Sequence, residues 1–431
     1  MKLPGKKVAI LGLGVSGFQS ALFLKKQGYH LWVSDQGDVS TIRERAQSLS
    51  REGIEVEYGR HTEGRILRSD WVLISPGIPP ESSVYRSLLK KKIPIVSEIE
   101  VAGWHSKAQK VVGITGTSGK TTVSTLLTRV LQKKGFHAMS CGNIGNPWIG
   151  ELSKITQETV VVLEISSFQL EHCHYFRPHM GVLLNLSPNH EDWHGDMKSY
   201  VTSKLKLFQN QVRGDYAVIC EADHKRFFPD YPFRAQTVYF DKEPQGNPNE
   251  TVVRVVSKFF GCSDKLADEV FKNFEGIEHR LEKFLEVRDV NYINDSKCTT
   301  PASLIWALEK FPDGKVVLLA GGHPKSRQFE SLRDLIKRKV KQMILIGEAR
   351  PLLREAWQGC CPTFETDDFK EAIERAHQAA VTRDNVLLSP GCASFDMFQN
   401  YQERGMLFKK LVRETVAQDR SQTASNISST K

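Results

Sequence analysis

The eight cysteines, at positions 141, 173, 220, 262, 298, 360, 361 and 392, form no C-x-x-C pair. The sequence therefore offers neither a zinc ribbon nor a thioredoxin-like redox motif. Thiols scattered in this way read as buried side chains in a reducing compartment, and the expected location is cytoplasmic. No run of 18 apolar residues occurs, so the signature of a membrane-spanning helix is missing and no membrane insertion is expected. The lysines ahead of the apolar run Val8 to Leu13 imitate a signal peptide, but Gly12, Gly14 and Gly17 interrupt it at once. No internal repeat with a period of about 20 to 50 residues is visible.

What is present is an ordinary globular composition. The 431 residues are 40% hydrophobic and 25% charged, which fits two or three domains and excludes wholesale disorder. Lys+Arg 59 against Asp+Glu 50 leaves a net charge of +9, a field that attracts anionic partners such as nucleotides. Short β-rich apolar runs ending in glycine or polar turns alternate with amphipathic segments, the pattern of parallel sheets wrapped by helices, so the chain reads as α/β throughout. Val8 to Leu11, Leu31 to Ser34 and Trp71 to Ile74 are the expected strands of a first unit. Lys110 opens a second, whose later strands are Val160 to Glu164, Met180 to Asn185 and Tyr216 to Cys220. Val316 to Leu319, Met343 to Ile346 and Val386 to Leu388 belong to a third. Boundaries are expected near 108 and 276, giving units 1–108, 109–276 and 277–418, with 419–431, polar and rich in Ser and Thr, as a disordered tail.

Three motifs carry chemistry. Gly12-x-Gly14-x-x-Gly17 lies between a strand and a helix with Asp35 at the end of the next strand, the context of a dinucleotide fingerprint. A nicotinamide-dependent oxidoreductase is one reading. Amides at a helix N-terminus accept any diphosphate, so another nucleotide diphosphate serves as well. Ser75-Pro76-Gly77 ends a later strand of the same unit and lines the same edge. In the second unit Gly116-Thr117-Ser118-Gly119-Lys120-Thr121 joins a strand to a helix. Its amides can cradle phosphates, Lys120 can reach the β/γ oxygens and Thr121 can hold Mg²⁺. Ile114 stands where a strict Walker A motif has glycine. His190-Glu191-Asp192-Trp193-His194 spells H-E-x-x-H, but Pro188 before it and Gly195 after it oppose the helix a zinc protease needs. Downstream, Val201, Leu205 and Phe208 recur at helical spacing. Lys204 then flanks the buried face and Lys206 is expected to face solvent.

These segments together resemble the Mur ligase family, the ATP-dependent amide-forming enzymes of peptidoglycan precursor synthesis. The resemblance rests on Gly116 to Thr121, Gly142-Asn143-Ile144-Gly145, Glu164-Ile165-Ser166-Ser167-Phe168-Gln169-Leu170, His190 with Asp192, His279-Arg280 and Asn294-Asp295-Ser296-Lys297. Within the family, Ser97-Glu98-Ile99-Glu100 and Ser389-Pro390-Gly391-Cys392-Ala393-Ser394-Phe395-Asp396 look like the members that add D-glutamate to UDP-N-acetylmuramoyl-L-alanine. The fold this implies has three α/β domains: an N-terminal Rossmann-like domain for the UDP-sugar, a central phosphate-loop ATPase-like parallel sheet, and a C-terminal Rossmann-like domain for the amino acid.

The resemblance also implies roles. Gly12, Gly14, Val15, Ser16, Asp35, Ser75, Pro76, Gly77 and Asn143 would bind the UDP-substrate. Gly116, Thr117, Ser118, Gly119, Lys120, Thr121, Thr122, Asn249, Arg280 and Asp295 would bind ATP. Thr121, Glu164, His190 and Lys204 would hold two Mg²⁺ ions, with Lys120, His190 and Lys204 catalytic and Lys204 carbamylated. Thr299, Lys325, Ser394 and Tyr401 would surround D-glutamate. The implied partners are ATP, D-glutamate and UDP-N-acetylmuramoyl-L-alanine, with no nucleic acid, and the implied state is a monomer. The chain departs from the family pattern at Ser118, Asn189, Gln36-Gly37 and Val252.

Overall fold

The computed structural model describes residues 5–143, 145–188, 191–242, 247–274, 276–324 and 329–428. The chain divides into two compact units, Met1–Phe274 and Glu275–Lys431. Three sheets carry the fold, two in the first unit and one in the second.

The first sheet is parallel, in the order Glu55–Glu57, His30–Ser34, Lys7–Leu11, Trp71–Ile74, Ile95–Val96. The chain moves outward from Lys7–Leu11 and then returns to its other side, so the topological switch lies between Lys7–Leu11 and Trp71–Ile74. Ligands of open α/β sheets bind at such a point. Its helix Val15–Lys26 starts within the glycine fingerprint and ends where Gly28 takes φ +77°, the left-handed step a helix C-terminus favours. The second sheet is also parallel, in the order Gln236–Tyr239, Tyr216–Ile219, Met180–Leu183, Lys110–Thr115, Val160–Glu164, Ala138–Gly142. Lys110–Thr115 is central, and its neighbours end at Leu183 and Glu164. Val111–Thr115 and Val160–Glu164 are buried along their whole lengths, as continuous β-branched runs require when helices cover both faces.

Residue 108 lies inside the first unit, between its two sheets, and two carboxylates of helix Glu98–His105 join them there. Glu100 accepts from the backbone amides of His174, Tyr175 and Phe176 at 2.9–3.0 Å and from Trp104 Nε1 at 3.1 Å. Glu98 accepts from the Ile149 amide at 2.6 Å. A hydrogen bond to a carboxylate contributes about 1.5–3 kcal/mol, so the three loop amides on Glu100 make this short helix a strong joint. One apolar cluster, including Trp71, Trp148, Phe176 and Leu207, runs through both layers.

The sheet of the second unit orders Glu282–Val287, Val290–Asn294, Asn385–Leu388, Val316–Gly321, Val340–Ile346, Thr363–Thr366, with only the first strand antiparallel. The helix Tyr401–Ser428 packs on it through Phe408, Val412 and Val416. It continues past 419, where a disordered tail is expected from composition. No Pro or Gly follows Gly405, so nothing breaks the helix before Ser428.

Candidate active site

At the switch of the first sheet, the glycines are required by close approach. A Cβ on Gly12 (φ +96°) would stand 2.6 Å from Ser75 Cβ and Oγ, and one on Gly17 would stand 1.9 Å from the Gly12 carbonyl oxygen. Gly12 and Ser75 therefore share one edge, with Pro76 and the exposed Gly77 beside them and Val15 47% exposed at the helix start. Ser16 follows in the first turn. The Asp35 carboxylate accepts from the amide of Leu13 at 2.5 Å and that of Gly37 at 2.7 Å. Asp35 thus shapes the fingerprint loop with both oxygens. Glycine at 37 suits this turn, because its amide approaches Asp35 with no side chain in the way.

In the second sheet the phosphate loop follows the central strand. Gly116 and Gly119 have φ of +152° and +82°, and a Cβ on Gly119 would meet Asn249 Oδ1 at 2.4 Å. Asn249 therefore stands against the loop. Val252, on the same helix, is 1% exposed and packs in the core. Lys120 Nζ donates to the carbonyls of Gly116 and Thr117 at 2.7 and 3.1 Å. Thr121 Oγ1 donates to Glu164 Oε2 at 2.9 Å, and Asn143 Nδ2 donates to Glu164 Oε1 at 3.0 Å. Three sequence segments thereby meet around one buried carboxylate. Thr122, the next residue, is half-buried.

Lys204 is 1% exposed. Its Nζ donates to the Gly116 carbonyl at 3.0 Å, the same oxygen Lys120 uses, and lies 4.5 Å from the Tyr200 ring centre. Burial first, and the charge of Lys120 second, push its pKa well below the ordinary ammonium value, so the neutral amine is favoured. Lys206 differs from the expectation of a solvent-facing residue. It pairs with Glu171 at 2.7 Å and is 26% exposed. Lys206 keeps helical backbone angles (φ −57°, ψ −21°) at the end of helix Met197–Leu205, so it points where the spacing puts it, three residues after Ser203, and there both side chains meet Glu171 instead of open solvent.

Sequence reasoning missed two groups that shape the loop. Asn185, just beyond strand Met180–Leu183, accepts from Ser118 N at 2.9 Å and returns Nδ2 to the Ser118 carbonyl at 3.1 Å. Tyr200 OH contacts Thr117 Oγ1 at 3.2 Å. Asn185 had a readable signal in its place at a strand's carboxyl end. Tyr200 had one only in standing four residues before Lys204, on the same helix face.

Within the second unit, Asp295 is 6% exposed and accepts from Ser389 Oγ at 2.7 Å and from the Leu281 amide at 3.2 Å. Desolvation raises its pKa to about 7 against these hydrogen bonds and the nearby charge of Arg280. His279, Asn294 and Glu282 interlock beside it, with Asn294 Nδ2 at 2.8 Å from His279 Nδ1. Their cluster with Glu278 has a cation already, because Lys409 Nζ lies 2.6 Å from Glu278 and 2.8 Å from Glu282. Arg404, unsignalled in sequence, is 1% exposed and donates to Ser296 Oγ and to the carbonyls of Ser296, Cys392 and Ala393 at 2.8–3.2 Å. It ties the Asn294–Lys297 segment to the Ser389–Asp396 segment. Ser394 is buried there, Tyr401 begins the helix that carries Arg404, and Thr299 precedes the Thr300 cap of helix Pro301–Leu308. His190 and Lys325 lie outside the described residues.

The H-E-x-x-H segment forms a single helical turn, Glu191–His194. His194 Nε2 meets Ser167 Oγ at 2.9 Å and its Nδ1 meets Ser203 Oγ at 3.3 Å, so neither nitrogen has the setting of a zinc-protease ligand.

A glycine loop at a strand–helix junction, a lysine on it and a Thr–Glu pair of hard oxygens define a phosphate-loop enzyme that handles nucleoside triphosphate. Residues 6–97 match the Mur ligase MurD-like N-terminal domain, 114–257 the Mur ligase middle domain, and 279–392 the Mur ligase glutamate ligase domain. The UDP-N-acetylmuramoylalanine--D-glutamate ligase of Chlorobaculum tepidum is 36% identical, over 96% of this chain and 99% of its own. That of Christiangramia forsetii is also 36% identical, over 95% and 99%. This chain belongs to the Mur ligase family. In fold it is similar to the MurF ligase of Thermotoga maritima solved in complex with ADP (TM-score 0.58, 16% identity, 90% of this chain and 95% of that one). The MurC ligase of the same organism is also similar (TM-score 0.55, 16% identity, 96% and 99%).

Proposed function

We propose that this chain is the ATP-dependent ligase that joins D-glutamate to UDP-N-acetylmuramoyl-L-alanine in peptidoglycan precursor synthesis, releasing ADP and phosphate. One observation carries the reading: Lys120, Lys204 and the Thr121–Glu164–Asn143 cluster converge on one phosphate loop, in a chain that aligns end to end with ligases of that name.

The reaction has two steps. The alanyl carboxylate oxygen attacks the γ-phosphorus as the bond to ADP breaks, which leaves an acyl phosphate. The D-glutamate nitrogen then attacks the acyl carbon, the C–N bond forms, phosphate departs and the amine loses a proton. Lys120 leaves the loop carbonyls to neutralise the migrating phosphoryl group. The loop amides of 116–121 hold the phosphates, with Thr122 beside them, Asn249 against the loop and Arg280 and Asp295 on the nucleotide. Gly12, Gly14, Val15, Ser16 and Ser75 to Gly77 receive the uridine diphosphate, on a loop whose shape Asp35 maintains. Asn143 contacts the same substrate.

The donor set suits Mg²⁺, since Thr121 and Glu164 offer hard oxygens. His190 and Lys204 complete the two proposed sites. Bound there, Mg²⁺ supplies charge neutralisation at the phosphoryl oxygens. Lys204 reaches this role as a carbamate, because burial and the charge of Lys120 push its amine toward the neutral form that adds CO₂. Thr299, Lys325, Ser394 and Tyr401 receive D-glutamate on a C-terminal domain, 277–418. Domains 1–108 and 109–276 hold the UDP-substrate and ATP, and the enzyme works as a monomer. The test is phosphate release with ATP and UDP-N-acetylmuramoyl-L-alanine across a panel of amino acids. Release with D-glutamate and not with L-alanine or diaminopimelate is expected, and AMP with pyrophosphate as stoichiometric products overturns the proposal.

A further inference from the structure

The helix Met197–Leu205 presents two adjacent stripes. Tyr200 and Lys204 share one face and reach the phosphate loop, through Thr117 Oγ1 and the Gly116 carbonyl. Ser199 and Ser203 share the next face, about 100° around the axis. Ser203 is 3% exposed, and its Oγ lies 2.5 Å from Glu171 Oε2, 3.3 Å from His194 Nδ1 and 3.1 Å from the Ser199 carbonyl.

A hydroxyl has one proton to give. The shortest contact is to the Glu171 carboxylate, which can only accept, so Ser203 donates there and accepts from His194 Nδ1–H. With Nδ1 protonated in the neutral ring, Nε2 accepts from Ser167 Oγ at 2.9 Å. The chain then runs in one direction, from Ser167 to His194 to Ser203 to Glu171, and Lys206 closes it on Glu171 Oε1 at 2.7 Å. His194 is further held by stacking on Phe168 at 5.5 Å and 6° and by edge contact with Tyr200 at 5.3 Å. Ser167 and Glu171 belong to the helix Ser167–Glu171, which begins three residues after Glu164 and is anchored by the Ser166–Gln169 capping box. The bridge thus joins the segment carrying Glu164 to the helix carrying Lys204.

We propose that Ser203, bridged to Glu171 and His194, is a positioning residue that sets the rotation of helix Met197–Leu205 so that Tyr200 and Lys204 meet the phosphate loop. Its catalytic consequence rests on the roles given to Lys204 and Glu164 above. Val201 and Leu205 hold the helix to the apolar core, and the Ser203 bridge adds the buried polar contact that fixes its fine rotation against helix Ser167–Glu171. Losing one buried hydroxyl swings the Lys204 amine off the Gly116 carbonyl before it disturbs the UDP-substrate edge at Gly12 and Ser75. The bridge borders a cleft of about 440 Å³, also lined by Pro80, Tyr85 and Trp193. Water can enter there and replace part of a lost contact, so the effect is moderate.

The variants are Ser203→Ala, Ser203→Thr, which keeps the hydroxyl, and Thr202→Ala, which removes a hydroxyl that, among the described residues, bonds its own helix at Lys198. The readouts are kcat, KM for each of the three substrates, and the ¹³C carbamate resonance of Mg²⁺-free protein equilibrated with ¹³C-bicarbonate. Ser203→Ala is expected to lower kcat about tenfold, leave the UDP-substrate KM within about twofold, and weaken the carbamate signal. Ser203→Thr should restore most of each, and Thr202→Ala should match the parent. Unchanged kcat and carbamate signal in Ser203→Ala overturn the proposal, as does a parallel loss in Thr202→Ala. If the parent protein makes no product with any amino acid, the proposed function fails, and the carbamate signal of Ser203→Ala alone judges the bridge.

Discussion

The fingerprint at 12–17 and the phosphate loop at 116–121 are both glycine-rich turns between a parallel strand and a helix, yet they are equipped differently. Among the described residues, the carboxylate engaged with the fingerprint loop is Asp35, which spends both oxygens on backbone amides. Around the phosphate loop, two lysines share the Gly116 carbonyl and Thr121 meets Glu164. Amides at a helix N-terminus suffice to hold a diphosphate. Moving a phosphoryl group also requires charge that can follow the transferring oxygens. The contrast supports the proposed roles, diphosphate binding at the first turn and phosphoryl transfer at the second.

The sharpest break in that contrast is Lys120→Ala. Turnover should fall on the order of a thousandfold, while calorimetry with the UDP-substrate gives an unchanged affinity. An equal loss of binding would erase the distinction between the two turns. Next is Lys204→Ala, expected to cost about a hundredfold in kcat, with acetate or formate restoring part of it by supplying carboxylate oxygens. Absence of rescue in a folded variant argues for a plain buried amine.

Gly12→Ala tests the binding turn. Its Cβ would stand 2.6 Å from Ser75 at φ +96°, a strain of about 1–3 kcal/mol. The UDP-substrate KM should rise about tenfold, with ATP KM unaltered in steady-state assays.

Apart from turnover, a further expected effect concerns the stability of the joint between the two sheets. Glu98 is 3% exposed, and desolvation raises its pKa to about 7 from 4.5. The folded state therefore binds a proton that the unfolded state releases. Glu98 contributes most stability below about pH 4.5 and loses that contribution as pH rises through 7, a difference of roughly 3 kcal/mol. Melting curves between pH 5 and 8 should show Glu98→Gln flattening this dependence, with its relative stability best at pH 8. A parallel shift at every pH would remove Glu98 as the source.

Much of this was legible because it is local. Apolar runs marked the inner strands, and glycine spacing marked both turns. Short edge strands such as Glu55–Glu57 and Thr363–Thr366 escaped, since three or four residues with mixed burial carry too little periodicity. Lys204 was recognisable as flanking a buried stripe. Its meeting with Lys120 was not, because 84 residues separate them in the chain and only packing of the Met197–Leu205 helix brings them together. Tyr200, Asn185 and Arg404 act on loops distant in sequence; position alone hinted at the first two, and Arg404 left no local pattern.

By itself the sequence determined the α/β class, the two glycine-rich strand–helix turns and the kind of chemistry they admit, since backbone conformation and side-chain inventory are properties of short segments. Tertiary structure alone decided which groups share a carbonyl, which carboxylates are consumed in holding loops, and that the first two sheets form one unit. Those outcomes depend on burial and on contacts between segments far apart in the chain, where desolvation lowers the Lys204 pKa and raises the worth of each hydrogen bond around it.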